Sequence, residues 1–276
     1  MAYKTLLAFH AVQDSPSTLD PVIQLARNAK AHLDVIVLGI LVSPPAIAYQ
    51  MAPAAEWVQY NKDMTQSAVN CASEIEQYLA AREISASVAV ECDYPARLDD
   101  IAARYSFCTD VMVATQDSLK KHDSINHAFN GTFFDVGCPF LQLPESNADF
   151  EEMSRVAIAW NGRPETARAI RNALPILKNA DRVNIITIDP KKLDVGEDPG
   201  SDLAAYLSRY GIDVTVDVLA SGGMNVSKKL LQRTNDIDAN ILVMGGYGHT
   251  KLRERLLGGV TRETLQDATL PVYMVH

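Results

Sequence analysis

The segment with the clearest chemical potential is Gly245-Gly246-Tyr247-Gly248-His249-Thr250-Lys251-Leu252-Arg253-Glu254-Arg255-Leu256-Leu257-Gly258-Gly259-Val260-Thr261. Glycine lacks a Cβ, so the backbone can take positive φ and approach a ligand closely. Gly258-Gly259 stands directly before a helical pattern, and the free N–H groups of a first helical turn receive phosphates well. Thr261 can cap that helix or offer its hydroxyl to a phosphate oxygen. Lys251, Arg253, Arg255 and Arg262 add positive charge, and His249 lies within the loop, either against a phosphate or solvated. The chemistry is anion binding. A surface turn with a glycine helix cap carries the same letters, so the spacing alone leaves both readings open.

Other constellations are weaker. Ser221-Gly222-Gly223-Met224-Asn225-Val226-Ser227 is similar to the SGGxDS loop of ATP pyrophosphatases, but it follows a third strand and has Asn225 for Asp. A turn followed by an N-cap explains it more simply. Neither G-x-G-x-x-G after the first strand nor GxxxxGK[ST] occurs. The six histidines lack metal-ligand spacing, and no Ser-His-Asp or paired-carboxylate arrangement is recognisable. Cys71, Cys92, Cys108 and Cys138 lack CxxC spacing, so neither a disulfide framework nor a zinc site is indicated. Cys108 and Cys138, in or beside apolar runs, are expected to be buried as small hydrophobes.

These residues need a scaffold, and the chain repeats one. Lys4-Thr5-Leu6-Leu7-Ala8-Phe9 is echoed by Arg155-Val156-Ala157-Ile158-Ala159-Trp160. Asp110-Val111-Met112-Val113-Ala114 leads to Cys138-Pro139-Phe140-Leu141-Gln142-Leu143, as Asn240-Ile241-Leu242-Val243-Met244 leads to Leu270-Pro271-Val272-Tyr273-Met274-Val275. A polar linker, Ser146–Glu152, lies between, which predicts domains at 1–145 and 154–276. Five strands are predicted in each half, at 3–10, 33–41, 85–91, 110–114 and 140–143, then 155–160, 183–188, 213–219, 241–244 and 272–275. Helices are predicted at 18–31, 56–82, 97–105 and 126–136, then 165–179, 201–210, 225–235 and 261–268. Continuously apolar runs such as Val35-Ile36-Val37-Leu38 suit parallel strands covered on both faces. Ser43–Ala55, rich in Pro, Ala and Met, reads as a surface loop. Strand–helix alternation gives an α/β doubly wound sheet, whose ligands bind beyond the C-terminal strand ends.

On these residues the chain resembles the universal stress protein family. Gly245, Gly248 and Gly258 give that family's G-x2-G-x9-G spacing, between an Ile-Leu-Val-Met strand and a closing Pro-Val-Tyr-Met-Val strand. The resemblance covers essentially the whole second half and, more weakly, the first. It implies two tandem, doubly wound, parallel five-stranded Rossmann-like sheets, joined through their last strands as an internal pseudo-dimer. It also implies an ATP site, with Mg²⁺ accompanying the nucleotide, at Ala159, Asn161, Met244, Gly245, Gly248, His249, Gly258, Gly259, Val260 and Thr261. Two departures stand out: Gly259 replaces the Ser or Thr of ATP-binding members, and Asn161 replaces the Asp that contacts adenine. Asn can both donate and accept, and Asn161-Gly162 also suits a plain turn. In the first half, Thr115–Asp123 has no glycine and no Asp ends the first strand, so that site is degenerate and the domain structural or regulatory.

The implied function is a stress-response protein that binds ATP or another adenine nucleotide and regulates rather than efficiently catalyses. A slow ATPase or nucleotide-dependent transferase, and an interaction scaffold without nucleotide, are the alternatives. A homodimer is compatible with the same edge pairing, and the regulated partner is not identified. Of the 276 residues, 47% are hydrophobic and 21% charged, as in ordinary globular proteins. A net charge of −9 argues against nucleic acid and against anionic membranes as partners. With no apolar run near the ~18–20 residues of a membrane span and no secretory leader pattern, the expected location is the cytoplasm.

Overall fold

The computed structural model describes residues 3–43, 54–144, 153–190, 198–246 and 259–276. Contacts divide the chain into two compact units, Tyr3–Cys138 and a second running from Pro139 to His276.

The first unit contains β1 (Thr5–Ala11), α1 (Asp20–Ala29), β2 (His32–Ile40), α2 (Ala54–Ala80), β3 (Ala86–Asp93), α3 (Pro95–Ser106), β4 (Val111–Thr115), α4 (Gln116–Lys121) and α5 (Asp123–Phe129). A 3₁₀ turn, Pro16–Leu19, precedes α1, and a π-helical segment, Asn130–Val136, follows α5. The strands lie in the order β3-β2-β1-β4, all parallel. Leu6, Leu7, Leu33, Val35 and Val111 are fully buried, as continuous apolar runs require in a sheet covered on both faces. Each such side chain contributes about 1.5–3 kcal/mol by leaving water. On α1, Val22, Ile23, Leu25, Ala26 and Ala29 form the buried stripe, and Lys30, at φ 50°, ends the helix in the left-handed region.

The second unit contains β5 (Phe140–Leu143), β6 (Arg155–Ala159), α6 (Pro164–Leu177), β7 (Arg182–Ile188), α7 (Ser201–Ser208), β8 (Val214–Leu219), α8 (Val226–Asp236), β9 (Ile241–Gly245), α9 (Gly259–Asp267) and β10 (Val272–Val275). Its order is β5-β10-β9-β6-β7-β8, with every neighbouring pair parallel except β5 against β10. The pairing through last strands that the resemblance implied is thus found, with Tyr273 opposite Leu141. Buried Gln142 ties β5 further, its amide donating to the Leu265 carbonyl of α9 at 2.8 Å. Because β5 takes these partners, the compact units divide at Pro139, ahead of the polar linker.

All ten predicted strands are present, and most helices within two or three residues. The exception is 115–123, read as a loop and in fact helical from Gln116. Thr115 caps α4 by accepting from the Ser118 N–H at 3.3 Å, and Lys121 pairs with Asp117 one turn away. The single helix predicted at 126–136 is α5 followed by the π segment, where the Thr132 hydroxyl bonds back to the Ala128 carbonyl at 2.8 Å. Cys138 is buried as expected, but Cys108 is exposed because it lies past the end of α3, short of β4. Most of Ser43–Ala55 lies outside the described residues. No helix among the described residues is long and apolar enough to cross a membrane.

Gly131 marks the closest packing. A Cβ there would stand 1.9 Å from the Asp99 carbonyl oxygen of α3. Beside it, His127 Nδ1 lies 2.5 Å from Asp99 Oδ1. Gly131→Ala must push two backbone segments apart and should cost about 3 kcal/mol, read as a lower urea midpoint of the full chain.

Candidate functional site

β6 and β9 run side by side, with Val156 opposite Ile241 and Ile158 opposite Val243, so Ala159 and Met244 follow at the C-terminal ends. From β6 the sheet grows through β7 to β8, and from β9 through β10, in the opposite direction. The ends of β6 and β9 are therefore the topological switch point of this unit.

Past β6, Asn161 and Gly162 (φ 72°) turn the chain into α6. Asn161 Oδ1 accepts from the Arg163 N–H at 3.1 Å and from the Thr166 hydroxyl at 2.6 Å. A backbone N–H can only donate, so the amide oxygen must face the turn, leaving Nδ2 as the group available to a ligand. Asn161 makes the turn and still offers a donor, where an Asp would offer an acceptor.

Gly245 closes β9 against the first turn of α6. A Cβ on it would lie 2.6 Å from the Thr166 amide nitrogen and 2.7 Å from Glu165 Cγ. Packing alone therefore demands this glycine. The Gly246 N–H then donates to the Val275 carbonyl at 2.9 Å. Gly248, His249 and Gly258 lie outside the described residues.

α9 starts at Gly259, the second glycine of the pair expected to precede it. Gly259 is exposed, and among the described residues a Cβ there would meet only Glu263 Oε1, at 3.9 Å. Val260 is exposed, whereas Thr261 is 7% exposed, with no hydrogen bond from its hydroxyl to any described residue. Sequence reasoning missed Glu165 and Glu263. Glu165, in the first turn of α6, is 6% exposed, and its carboxylate pairs with no described residue. The signal was an acid just after a helix-starting proline. Glu263 Oε2 lies 2.7 Å from the buried Ser227 hydroxyl of α8, so this carboxylate stands between the N-termini of α8 and α9. In the Ser221–Ser227 loop, Asn225 caps α8, accepting from the Ser227 N–H at 2.9 Å. The N-cap explanation of that motif holds. No group of His, Cys, Asp or Glu suited to a metal ion occurs among the described residues.

Two substitutions separate packing from ligand roles. Gly245→Ala should lose about 2–3 kcal/mol of stability, whereas Gly259→Ser should change it by no more than about 0.5 kcal/mol, both by urea unfolding without ligand.

Residues 153–276 match the model described as the universal stress protein family. A comparison with curated proteins returns no match. Among solved structures, a universal stress protein from Archaeoglobus fulgidus DSM 4304 superposes with a TM-score of 0.70 at 16% identity, covering 98% of this chain and 94% of its own. A functionally unknown protein from Pseudomonas aeruginosa PAO1 gives 0.57 at 13% identity, over 99% and 92%. The cytoplasmic domain of a prokaryotic cation chloride cotransporter gives 0.55 at 11% identity, over 99% and 95%. At such identities these likenesses establish the fold alone. The second half of the chain thus matches the universal stress protein family model, and the fold likeness to universal stress proteins extends over the whole chain.

Proposed function

We propose that the second unit binds an adenine nucleotide, ATP with Mg²⁺, as a regulatory ligand. Its phosphates would lie on the loop from Gly245 through Gly248, His249 and Gly258 to Gly259, Val260 and Thr261. Its base would lie near Ala159, Asn161 and Met244. The observation that carries this reading is Thr261: a residue 7% exposed in the first turn of a helix, whose hydroxyl has no described partner, two positions from an exposed Gly259. A hydroxyl placed there can donate to a phosphate oxygen. Helix N–H groups and the α9 dipole favour the same anion.

The fit is incomplete at Glu263, whose carboxylate shares the approach to that N-terminus. Mg²⁺ neutralises part of the triphosphate charge, so the metal complex suits the site better than free ATP.

A second reading, slow hydrolysis, has one observation in its favour. Glu165, 6% exposed, lies at the same strand ends with no described partner for its carboxylate, and a carboxylate in a site can serve as a general base. Phosphate release equal in the wild type and Glu165→Gln removes it.

Thermal unfolding with and without Mg-ATP tests the main reading. A native-state ligand at a hundredfold excess over Kd adds about 2.7 kcal/mol. The shift should vanish in Gly248→Val, and should grow in Gly259→Ser, which restores a hydroxyl, and in Glu263→Gln, which removes a competing charge. No shift in any of the four proteins would leave the scaffold reading instead.

A further inference from the structure

The first unit has its own switch point, at the ends of β1 and β4, and polar side chains fill it. His10, the next-to-last residue of β1, is 2% exposed. Its Nε2 lies 3.2 Å from the Asp14 backbone carbonyl, so that nitrogen carries the proton and donates. The Asp14 carboxylate reaches the other way, to His122 Nε2 at 2.9 Å, between α4 and α5. Side-chain exposures of 16% and 18% show that this contact is sheltered. One residue, Asp14, thus holds a buried histidine through its backbone and a sheltered histidine through its side chain. The bond to His122 spans 108 residues of sequence and ties the segment after β1 to the helices after β4.

We propose that His10, Asp14 and His122 form a proton-operated latch that holds the first unit shut at this end near neutral pH and releases it in acid. Among the described residues, the groups acting on His10 are Asp14 and His122; Cys71 of α2 faces Asp14 and, with Glu74 nearby, stays a neutral thiol. Neutral His10 fits its place: it donates once and needs no water. A charged His10 does not. Burial is the largest effect holding its pKa below the ordinary 6.5, while the Asp14 backbone bond and charge oppose this and His122 adds to it. Asp14 gives His10 a backbone carbonyl, while its carboxylate is engaged by His122. The inexpensive response to a proton on His10 is to part the two segments and admit water.

The sign follows from His10 binding its proton more weakly in the closed form than in the open one. Closure is complete above about pH 6.5, the ordinary value, and is lost as pH falls through the lowered value of the closed form. Within that window, each unit of acidification should populate the open form roughly tenfold more.

The test uses the full chain with labelled histidine side chains. The His10 ring signal is followed from pH 7.5 to 5, with amide exchange, corrected for its intrinsic pH dependence, measured over 11–20 and 116–123. The latch requires a His10 midpoint below 6.5 and exchange in both segments accelerating about tenfold per unit in the same range. His10→Gln keeps an N–H donor without a titratable ring and should abolish the acid step, leaving exchange at pH 7.5 unchanged. Asp14→Asn should open both segments already at pH 7.5. A His10 that titrates with no change in exchange, or an acid step retained in His10→Gln, overturns the proposal. Should His10→Gln fail to fold, agreement or disagreement of the two wild-type midpoints decides alone.

Discussion

The second unit depends on a contact with no room in it. The first turn of α6 rests directly on the backbone of Gly245, and a single methyl there would collide with the Thr166 amide. This pins the start of α6 to the end of β9, one strand away from the strand α6 follows. Asn161 is the hinge pin of the same arrangement, since its amide oxygen holds both Arg163 and Thr166 in place. The direction in which the chain leaves β9 towards residue 247 is set by these few atoms. A ligand site at the switch point inherits its precision from that packing, whatever the ligand is.

The two units share a strand order and diverge at the same place. In the second, β9 ends at Gly245, Gly246 follows, and a helix starts at Gly259. In the first, β4 passes straight into α4, because Thr115 is a cap rather than a glycine and Lys121 pairs with Asp117. Glu165 and Thr261 of the second unit have no described partner, whereas the first unit pairs its polar groups internally through Asp14.

Much of this was legible in the letters. Strand positions came from apolar runs that suit a doubly covered parallel sheet. Asn161 was read both as a turn residue and as a ligand contact, and its two oxygen bonds show how it serves the first while leaving Nδ2 for the second. Less legible was why particular glycines are there: Gly245 reads as a loop residue, yet packing demands it, and Gly131 went unexplained until Asp99 was seen against it. α4 was missed because a six-residue polar helix has no apolar period to announce it. His10, Asp14 and His122 could not be joined from sequence, since nothing in spacing foretells a contact across 108 positions.

The antiparallel pairing of β5 with β10 has a consequence for how the gene can be divided. Phe140, Leu141 and Gln142 are encoded with the first repeat but cover the edge of the second unit's sheet. A fragment beginning at Met153 would leave β10 bare, and a bare apolar edge is a template for self-association. One beginning at Pro139 would carry its own cover. Fusion of the two repeats has therefore done more than tether them. It fixes the stoichiometry of unlike halves at one to one and spares β10 from recruiting a strand out of solution.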